Sequence, residues 1–260
     1  MGIVNVTPDS FSDGGQFVDP TRAVAHGCLL ADQGAQWLDV GGESTRPGAA
    51  PVPAEVEAAR VVPVLRGLRS ALPNAILSVD TQKAAVAEAA LYAGADVVND
   101  VSGGRDPDML GLVAREGAGL VLMHMRGTPA TMQRDTSYGD VVEDVAHYLA
   151  ERARAAEAAG VEPAVIWLDP GVGFGKALDD NPRLIAATPR FKALGYPVLI
   201  GASRKRFIGT LTGVGQASER VYGSLGAALA AASRGADVLR VHDVAATIQA
   251  LVVYRACADG

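Results

Sequence analysis

Residues 75–101 of the chain read AILSVDTQKAAVAEAALYAGADVVNDV. The stretch contains two short apolar runs, the first ending at Asp80 and the second at Asn99, with an Ala-rich segment and Gly94 between them. Apolar runs of strand length separated by a helical segment predict a β–α–β unit, in which the two strands are parallel and buried on both faces. A polar residue at the end of each run then lies at the carboxyl edge of the sheet.

The same alternation extends along the chain in both directions and yields eight units without a break in composition. The predicted strands are residues 2–6, 36–40, 75–79, 96–100, 119–123, 164–168, 197–201 and 237–241. The predicted helices are residues 21–33, 54–70, 83–92, 107–116, 140–159, 181–193, 218–233 and 244–258. Glycines stand where six of these helices should end, and they are Gly34, Gly94, Gly117, Gly160, Gly195 and Gly235.

Eight β/α units form either a closed barrel or an open doubly wound sheet. The open sheet usually has a glycine-rich phosphate turn after its first strand, whereas residues 7–11 here read TPDSF. We therefore predict an α/β protein with a single (β/α)8 TIM-barrel domain spanning residues 1–260, with its active site at the C-terminal face of the strands.

Composition restricts the class of partner. The 260 residues carry a formal net charge of −6, and the calculated pI is about 5.2; this balance argues against a nucleic-acid partner. The two cysteines, Cys28 and Cys257, have no metal-ligand spacing around them. No apolar run has the length needed to cross a bilayer. We expect a cytoplasmic protein that binds small molecules.

Polar residues are concentrated at the predicted strand ends. They are Asn5, Asp39, Glu43, Ser44, Thr45, Arg46, Asp80, Asn99, Asp100, His124, Asp169, Ser203, Arg204, Lys205, Arg240 and His242. Capping of the following helix explains Asp39, Asp100 and His124 equally well.

Four of these residues, Asp80, Asn99, Asp169 and Lys205, are hard to explain as caps. An Asp or Asn at the end of an apolar strand points into the barrel mouth, where burial without a partner is costly. Two carboxylates, an amide and a lysine in one cavity suit a flat nitrogen-rich ring such as a pterin.

A diphosphate would need other partners. Arg240, His242 and Asn5 lie on the last and first strands, which are neighbours in a closed barrel. The connections 7–20 and 41–53 are long for βα loops, and we interpret them as lids. Residues 171–176, GVGFGK, are superficially similar to a nucleotide-binding loop but lack the Lys-Ser/Thr that closes a P-loop.

Two segments identify a known family by resemblance. NVTPDSFSDGG at residues 5–15 and DVGGESTRPG at residues 39–48 resemble the two signatures of dihydropteroate synthases. Six shorter motifs follow in the order of that family: SVDT at 78–81, NDV at 99–101, LMHM at 122–125, DPG at 169–171, SRK at 203–205 and RVHD at 240–243.

The resemblance implies that dihydropterin diphosphate and p-aminobenzoate condense to dihydropteroate and diphosphate in folate biosynthesis. It implies Mg²⁺ as cofactor with Asn5 as its ligand, a homodimer, and sulfonamides as competitors. The catalytic residues that it predicts are Asn5, Asp13, Lys205, Arg240 and His242. The substrate-binding residues that it predicts are Phe11, Thr45, Arg46, Pro47, Asp80, Asn99, Met123, Asp169, Phe174, Gly201, Ser203, Lys205, Arg240 and His242.

Two alternatives remain open from the sequence. A pterin-binding methyltransferase of related architecture would pass a methyl group from a methylated folate to a corrinoid protein, and it should lack Phe11, Asp13 and Pro47. A non-catalytic pterin-binding relative would keep the fold without turnover. Among departures from the family pattern, Arg206 replaces a small hydroxyl residue near the expected p-aminobenzoate carboxylate.

Overall fold

The chain forms the eight parallel strands that its sequence predicts. The structure is a computed structural model that describes residues 1–7, 19–45 and 48–258. The strands are β1 (Gly2–Asn5), β2 (Trp37–Gly41), β3 (Ile76–Asp80), β4 (Val97–Asp100), β5 (Gly119–Met123), β6 (Ile166–Asp169), β7 (Leu199–Ile200) and β8 (Val238–Leu239).

Helices alternate with these strands. The described residues contain α1 (Pro20–Asp32), α2 (Ala54–Ala71), α3 (Ala84–Tyr92), α4 (Met109–Glu116), α5 (Val141–Ala158), α6 (Asp180–Ala186), α7 (Thr188–Lys192), α8 (Arg206–Thr212), α9 (Val221–Ala232) and α10 (Val244–Ala258). The six glycines predicted at helix ends, from Gly34 to Gly235, all have positive φ, between 62° and 104°. Positive φ is the backbone conformation in which glycine ends a helix without steric cost.

The strands are ordered around a barrel. β1 to β6 form one parallel sheet in sequence order, and β7 pairs with β8 in a second. Extended ladders do not close the ring. Instead, an isolated bridge between Leu168 and Val198 joins β6 to β7, and another between Gly2 and Val241 joins β8 to β1. The TIM-barrel fold class is confirmed, with single bridges at its two seams.

Two helical regions differ from the prediction. The expected helix 181–193 is divided into α6 and α7, because Pro189 at the start of α7 has no backbone N–H with which to continue the first helix. The expected helix 218–233 begins at Val221, after a 3₁₀ turn. The short helix α8 was not predicted.

The barrel interior is layered because alternate residues of each strand face inward. An apolar floor is formed by Val97, Val121 and Leu199, with Trp37 and Trp167 packed against them; the two indole rings contact each other edge to face. Two residues further along β2 and β4, the inward positions hold Asp39 and Asn99. The polar residues of the sequence thus form the layers above an apolar floor. Among the described residues, no helix has the length and hydropathy required to cross a membrane.

Candidate active site

The central feature of the barrel mouth is one guanidinium shared by two strands. Arg240 donates from Nε to Asp39 Oδ2 at 2.6 Å and from a terminal nitrogen to Asp80 Oδ2 at 2.7 Å. Asp39 Oδ2 also accepts a hydrogen bond of 3.0 Å from Asn99 Nδ2. The structure therefore joins β2, β3, β4 and the residue after β8 through four side chains.

Two oxygens of this network have no donor. Asp39 Oδ1 and Asp80 Oδ1 are buried and accept no hydrogen bond from the described residues. Leaving a buried carboxylate oxygen unpaired costs free energy. A ligand with N–H groups that reaches these oxygens would remove that cost.

Burial also shifts the protonation of the pocket. It raises the pKa of Asp80 to about 7, although Arg240 acts in the opposite direction. Burial raises the pKa of Asp169 as well. It lowers the pKa of Lys205 to about 8, and Arg240 acts in the same direction. Although burial opposes it, Asp39 and Asp80 hold the pKa of Arg240 above its usual value. Such a group of shifted pKa values in a cleft is typical of functional sites.

Asp169 and Lys205 form the opposite wall. Asp169 is paired with Met123 in the ladder between β5 and β6, and its Oδ1 accepts a hydrogen bond of 2.8 Å from Gly171 N. The Lys205 ammonium lies 3.9 Å from the centre of the Phe174 ring, a cation–π contact. Phe174 and Met123 belong to a small apolar cluster with Val101, Met125 and Met132.

The predicted residues of β7 and β8 also meet here. Gly201 lies between two site residues, because a Cβ there would lie 3.8 Å from Arg240 Cβ and 3.9 Å from Asp169 Oδ2. Ser203 Oγ lies 3.0 Å from His242 Nδ1 and accepts from the His242 backbone N–H at 3.2 Å. Burial lowers the pKa of His242 to about 3, and Arg204 acts in the same direction.

The backbone that presents Lys205 is strained. Arg204 has a φ of 58°, which is unusual for a residue with a side chain. Its guanidinium is paired with Asp243 at 2.5 and 3.0 Å, and Arg220 donates to the Arg204 carbonyl at 3.1 Å. These contacts hold the loop between β7 and α8 in a conformation that it would not adopt alone.

The first and second loops are only partly within the described residues. Asn5 is half-buried at the end of β1, where it is paired with Gly41, and Thr45 is half-buried in the following loop. The predictions for Phe11, Asp13, Arg46 and Pro47 lie outside the described residues.

An ion-pair cluster lies beneath the second loop. Lys83 is paired with Glu43 at 2.8 Å and with Glu57 at 2.5 Å. Glu43 Oε1 also accepts a hydrogen bond of 2.6 Å from Val52 N. These contacts fix the base of the loop that contains Thr45.

The structure shows different roles for Asp39, Asp100 and His124, which the sequence explained equally well as helix caps and as functional residues. Asp100 caps its own loop by accepting from Ser102 N and Gly104 N, each at 2.7 Å. Asp39 instead faces the barrel interior and contacts Arg240 and Asn99. His124 contacts Lys176, which the sequence did not single out as a pocket residue, at 2.9 Å.

A magnesium ion fits the donor chemistry at the rim. The described residues contain no group of three or more His, Cys, Asp or Glu side chains that could hold a metal alone. Mg²⁺ is usually bound by one or two protein oxygens together with substrate phosphates and water. The Asn5 amide oxygen is a hard donor of that kind.

Comparison with known proteins gives a consistent result. The sequence profile described as pterin binding enzyme matches residues 1–242. The dihydropteroate synthase of Neisseria meningitidis serogroup B is 49% identical over 263 residues, which cover 98% of this chain and 91% of that protein. The solved structure of Xanthomonas albilineans dihydropteroate synthase with 4-aminobenzoic acid matches at a TM-score of 0.94 and 52% identity, covering 100% of this chain and 93% of that one. A Yersinia pestis dihydropteroate synthase with a sulfonamide drug complex matches at a TM-score of 0.94 and 41% identity, covering 100% and 94%.

Proposed function

Because this chain belongs to the dihydropteroate synthase family of pterin-binding enzymes, we propose that the barrel mouth around Asp80, Asn99, Asp169 and Lys205 is its pterin site. The chain is a transferase of folate biosynthesis. It condenses 6-hydroxymethyl-7,8-dihydropterin diphosphate with p-aminobenzoate to give 7,8-dihydropteroate and diphosphate.

The observation that carries the pterin site is the unpaired oxygen Asp80 Oδ1. A buried acceptor without a donor is expensive in the free protein and becomes favourable when a ligand N–H reaches it. Asn99 Nδ2 donates one of its two N–H groups to Asp39, so the amide oxygen and the second N–H are left for the ligand. The site therefore presents acceptors from Asp80, Asn99 and Asp169 and a donor from Lys205, a pattern that matches the edges of a pterin.

The reaction breaks the bond between the exocyclic methylene carbon and the diphosphate oxygen. The arylamine nitrogen attacks that carbon and afterwards releases a proton, and diphosphate leaves with the bonding electron pair. Negative charge grows on the leaving oxygen, so cationic groups must face it. We assign that role to Arg240, Lys205 and the donors of His242 and Thr45. The carboxylates of Asp80 and Asp169 stabilise the positive charge that develops on the pterin.

The same proposal includes magnesium, with Asn5 as its protein ligand. When bound, Mg²⁺ would neutralise charge on the departing diphosphate. Asn5 would contribute one amide oxygen at the rim, and the Thr45 hydroxyl would bind the diphosphate. No general base is needed, because an arylamine is largely neutral at pH 7.

The p-aminobenzoate is proposed to bind outside the pterin, under the first two loops. Phe11, Asp13 and Pro47 would enclose it and exclude water from the reacting carbon. Arg206, which is exposed at the start of α8, would bind its carboxylate. Sulfonamides, which mimic p-aminobenzoate, should compete at the same position.

We further propose a homodimer formed through α8, α9 and α10. Five large apolar side chains on these helices are exposed: Leu211, Tyr222, Ile248, Val252 and Val253. Exposed apolar side chains on neighbouring helices are typical of association sites. The cytoplasmic location, like the single-domain organisation, stays a prediction from the sequence.

The decisive experiment measures diphosphate release by purified protein given the dihydropterin diphosphate, p-aminobenzoate and Mg²⁺. Release that requires p-aminobenzoate is expected, with competitive inhibition by a sulfonamide against p-aminobenzoate. Pterin binding without release would support the non-catalytic alternative. Methyl transfer from a methylated folate to a corrinoid, with no diphosphate release, would support the methyltransferase.

A further inference from the structure

Lys176 is a buried lysine to which the proposed reaction assigns no role. The residue is 5% exposed, and its ammonium donates to Phe174 O at 2.8 Å and to Gly171 O at 3.3 Å. It also lies 2.9 Å from His124 Nδ1. Buried lysines are normally paired with a carboxylate. Here the hydrogen-bond partners are two backbone carbonyls and an imidazole, and the Tyr138 ring lies 5.7 Å away, so the amino group binds mainly to the loop backbone.

The backbone that it holds has little conformational preference of its own. Gly171, Gly173 and Gly175 have φ values of 70°, 85° and 61°. Glycine loses the most conformational freedom on folding, so a loop with three glycines needs external contacts to adopt one conformation. The loop also packs tightly, since a Cβ on Gly171 would lie 1.9 Å from His124 O.

The two loop residues held by Lys176 are the ones that reach the pterin site. Gly171 N donates to Asp169 Oδ1 at 2.8 Å. The Phe174 ring lies 3.9 Å from the Lys205 ammonium. The two backbone carbonyls that Lys176 binds therefore belong to residues that themselves contact Asp169 and Lys205.

We propose that Lys176 is a positioning residue: its ammonium fixes the loop 171–175 and thereby sets the Asp169 carboxylate and the Lys205 ammonium at the separation that the pterin ring requires. This inference rests on the pterin site proposed above. It also gives His124 a role, because the Nδ1 atom of a neutral imidazole accepts the third hydrogen bond of the ammonium. Burial lowers the pKa of His124 to about 2, and Lys176 acts in the same direction, so the imidazole is neutral.

A second anchor keeps the loop folded when Lys176 is changed. Asn181 Oδ1 accepts from Gly173 N at 2.6 Å, and its Nδ2 donates to Ala177 O at 2.7 Å. Asn181 thus holds the middle of the loop, whereas Lys176 holds residues 171 and 174. Loss of Lys176 should loosen the two ends that face the pterin and leave the chain folded.

The test is Lys176→Met, which keeps the length of the side chain and removes its donors. We expect the Kd for 6-hydroxymethylpterin, measured by calorimetry, to rise by about tenfold to a hundredfold, the size of effect expected from a misplaced binding group. The KM for the pterin diphosphate should rise in parallel, and the KM for p-aminobenzoate should stay the same. A purely structural role would not separate the two substrates in this way.

The matched control is Arg69→Met. Arg69 also donates to backbone carbonyls, of Pro73 and Gly94, each at 2.9 Å, but at the opposite end of the barrel. This variant should lower the thermal midpoint and leave the pterin Kd unchanged. If Lys176→Met binds pterin as the unchanged protein does, or if both variants lose affinity only in proportion to lost stability, the positioning role is wrong.

If the methionine variant does not fold, Lys176→Gln tests the positioning role instead. Its carboxamide keeps donors on a shorter side chain, so an intermediate Kd is expected, and an unchanged Kd overturns the inference. Failure of the unchanged protein to bind pterin would be a different result, since it would remove the proposed site itself.

Discussion

Asp39 accepts a hydrogen bond of 2.6 Å from the Nε of Arg240, although 201 positions separate the two residues in the chain. Asp39 is fully buried, and the arginine side chain is 17% exposed. This contact links β2 to the residue after β8 across β1, at the seam where Ile3 N donates to Val241 O and Val241 N donates to Met1 O. One ion pair therefore contributes both to barrel closure and to the shape of the pocket.

The first prediction concerns removal of this arginine. Arg240→Met leaves Asp39 and Asp80 buried without a cation, so the free energy of unfolding in urea should fall by about 3–5 kcal/mol. Asp39→Asn combined with Arg240→Met should lose less than the two single changes added together, because the pair acts as a unit. Additive losses would show that the pair is not coupled.

Arg240→Lys tests geometry at constant charge. A lysine ammonium is a compact donor that cannot reproduce the planar fork linking Asp39 and Asp80. We expect this variant to keep part of the stability lost in Arg240→Met and to have a higher KM for the pterin diphosphate than the unchanged enzyme.

The second prediction concerns the acceptor wall of the pocket. Asp169→Asn should weaken pterin binding by about 1.5–3 kcal/mol, because a charge-assisted hydrogen bond is lost. Calorimetry with 6-hydroxymethylpterin gives the number. Asp237→Asn is a suitable control, since Asp237 likewise accepts from a backbone N–H, that of Val198 at 2.8 Å, but at the N-terminal end of β7. Unchanged affinity in Asp169→Asn would remove this residue from the site.

The third prediction compares two glycines of similar φ. Gly117 has a φ of 62° and open space around its missing side chain, whereas Gly171 has a φ of 70° and the His124 carbonyl oxygen 1.9 Å from a Cβ. Gly117→Ala should cost about 1–2 kcal/mol of unfolding free energy, the cost of left-handed backbone alone. Gly171→Ala should cost more than about 4 kcal/mol, because the backbone itself must move. Equal losses would contradict the close approach of this loop.

The fourth prediction is a pH dependence of stability. Burial lowers the pKa of His242 from 6.5 to about 3, so the unfolded chain binds more protons than the folded chain between these values. Stability therefore rises with pH across this window: the contribution of His242 is complete above pH 6.5 and is lost as the pH falls towards 3. His242→Asn should make the unfolding free energy less dependent on pH there.

An exposed histidine provides the control for that measurement. The side chain of His147 is 73% exposed on α5, so His147→Asn should leave the pH dependence as it is. A slope that His242→Asn does not change would show that His242 is protonated as easily in the folded protein as in the unfolded chain.

Features of the site that depend on neighbouring residues in the sequence were predictable, and features that depend on distant residues were not. The positions of Asp80, Asn99 and Asp169 were predictable because each ends an apolar run, and β-strand alternation then determines the face on which it lies. The glycine ends of the helices were predictable for a similar local reason, since φ depends on the residue itself.

The roles of Asp39 and Lys176 were not predictable in this way. An Asp after an apolar run is equally typical of a helix cap and of a pocket residue. For Asp39, the contact with Arg240, which is far away in the sequence, decides between these two explanations. Lys176 ends a glycine-rich segment, and its direction depends on how that loop folds onto His124. In both cases the deciding contact is tertiary and cannot be predicted from the neighbouring residues in the sequence.

The fifth prediction tests the proposed homodimer. Val252 and Val253 are each 63% exposed on α10, which packs against α9, and Tyr222 on α9 is 86% exposed. Val252→Glu with Val253→Glu places two charges in this apolar surface, where pairing would bury them without partners. Sedimentation should show a dimer for the unchanged chain and a monomer for the double variant.

Tyr92→Glu is the matched control, because Tyr92 is 88% exposed on α3, away from these helices. The sedimentation of this variant should not change. A monomer in both unchanged and variant protein would exclude this dimer, and dissociation by Tyr92→Glu alone would place the interface on α3.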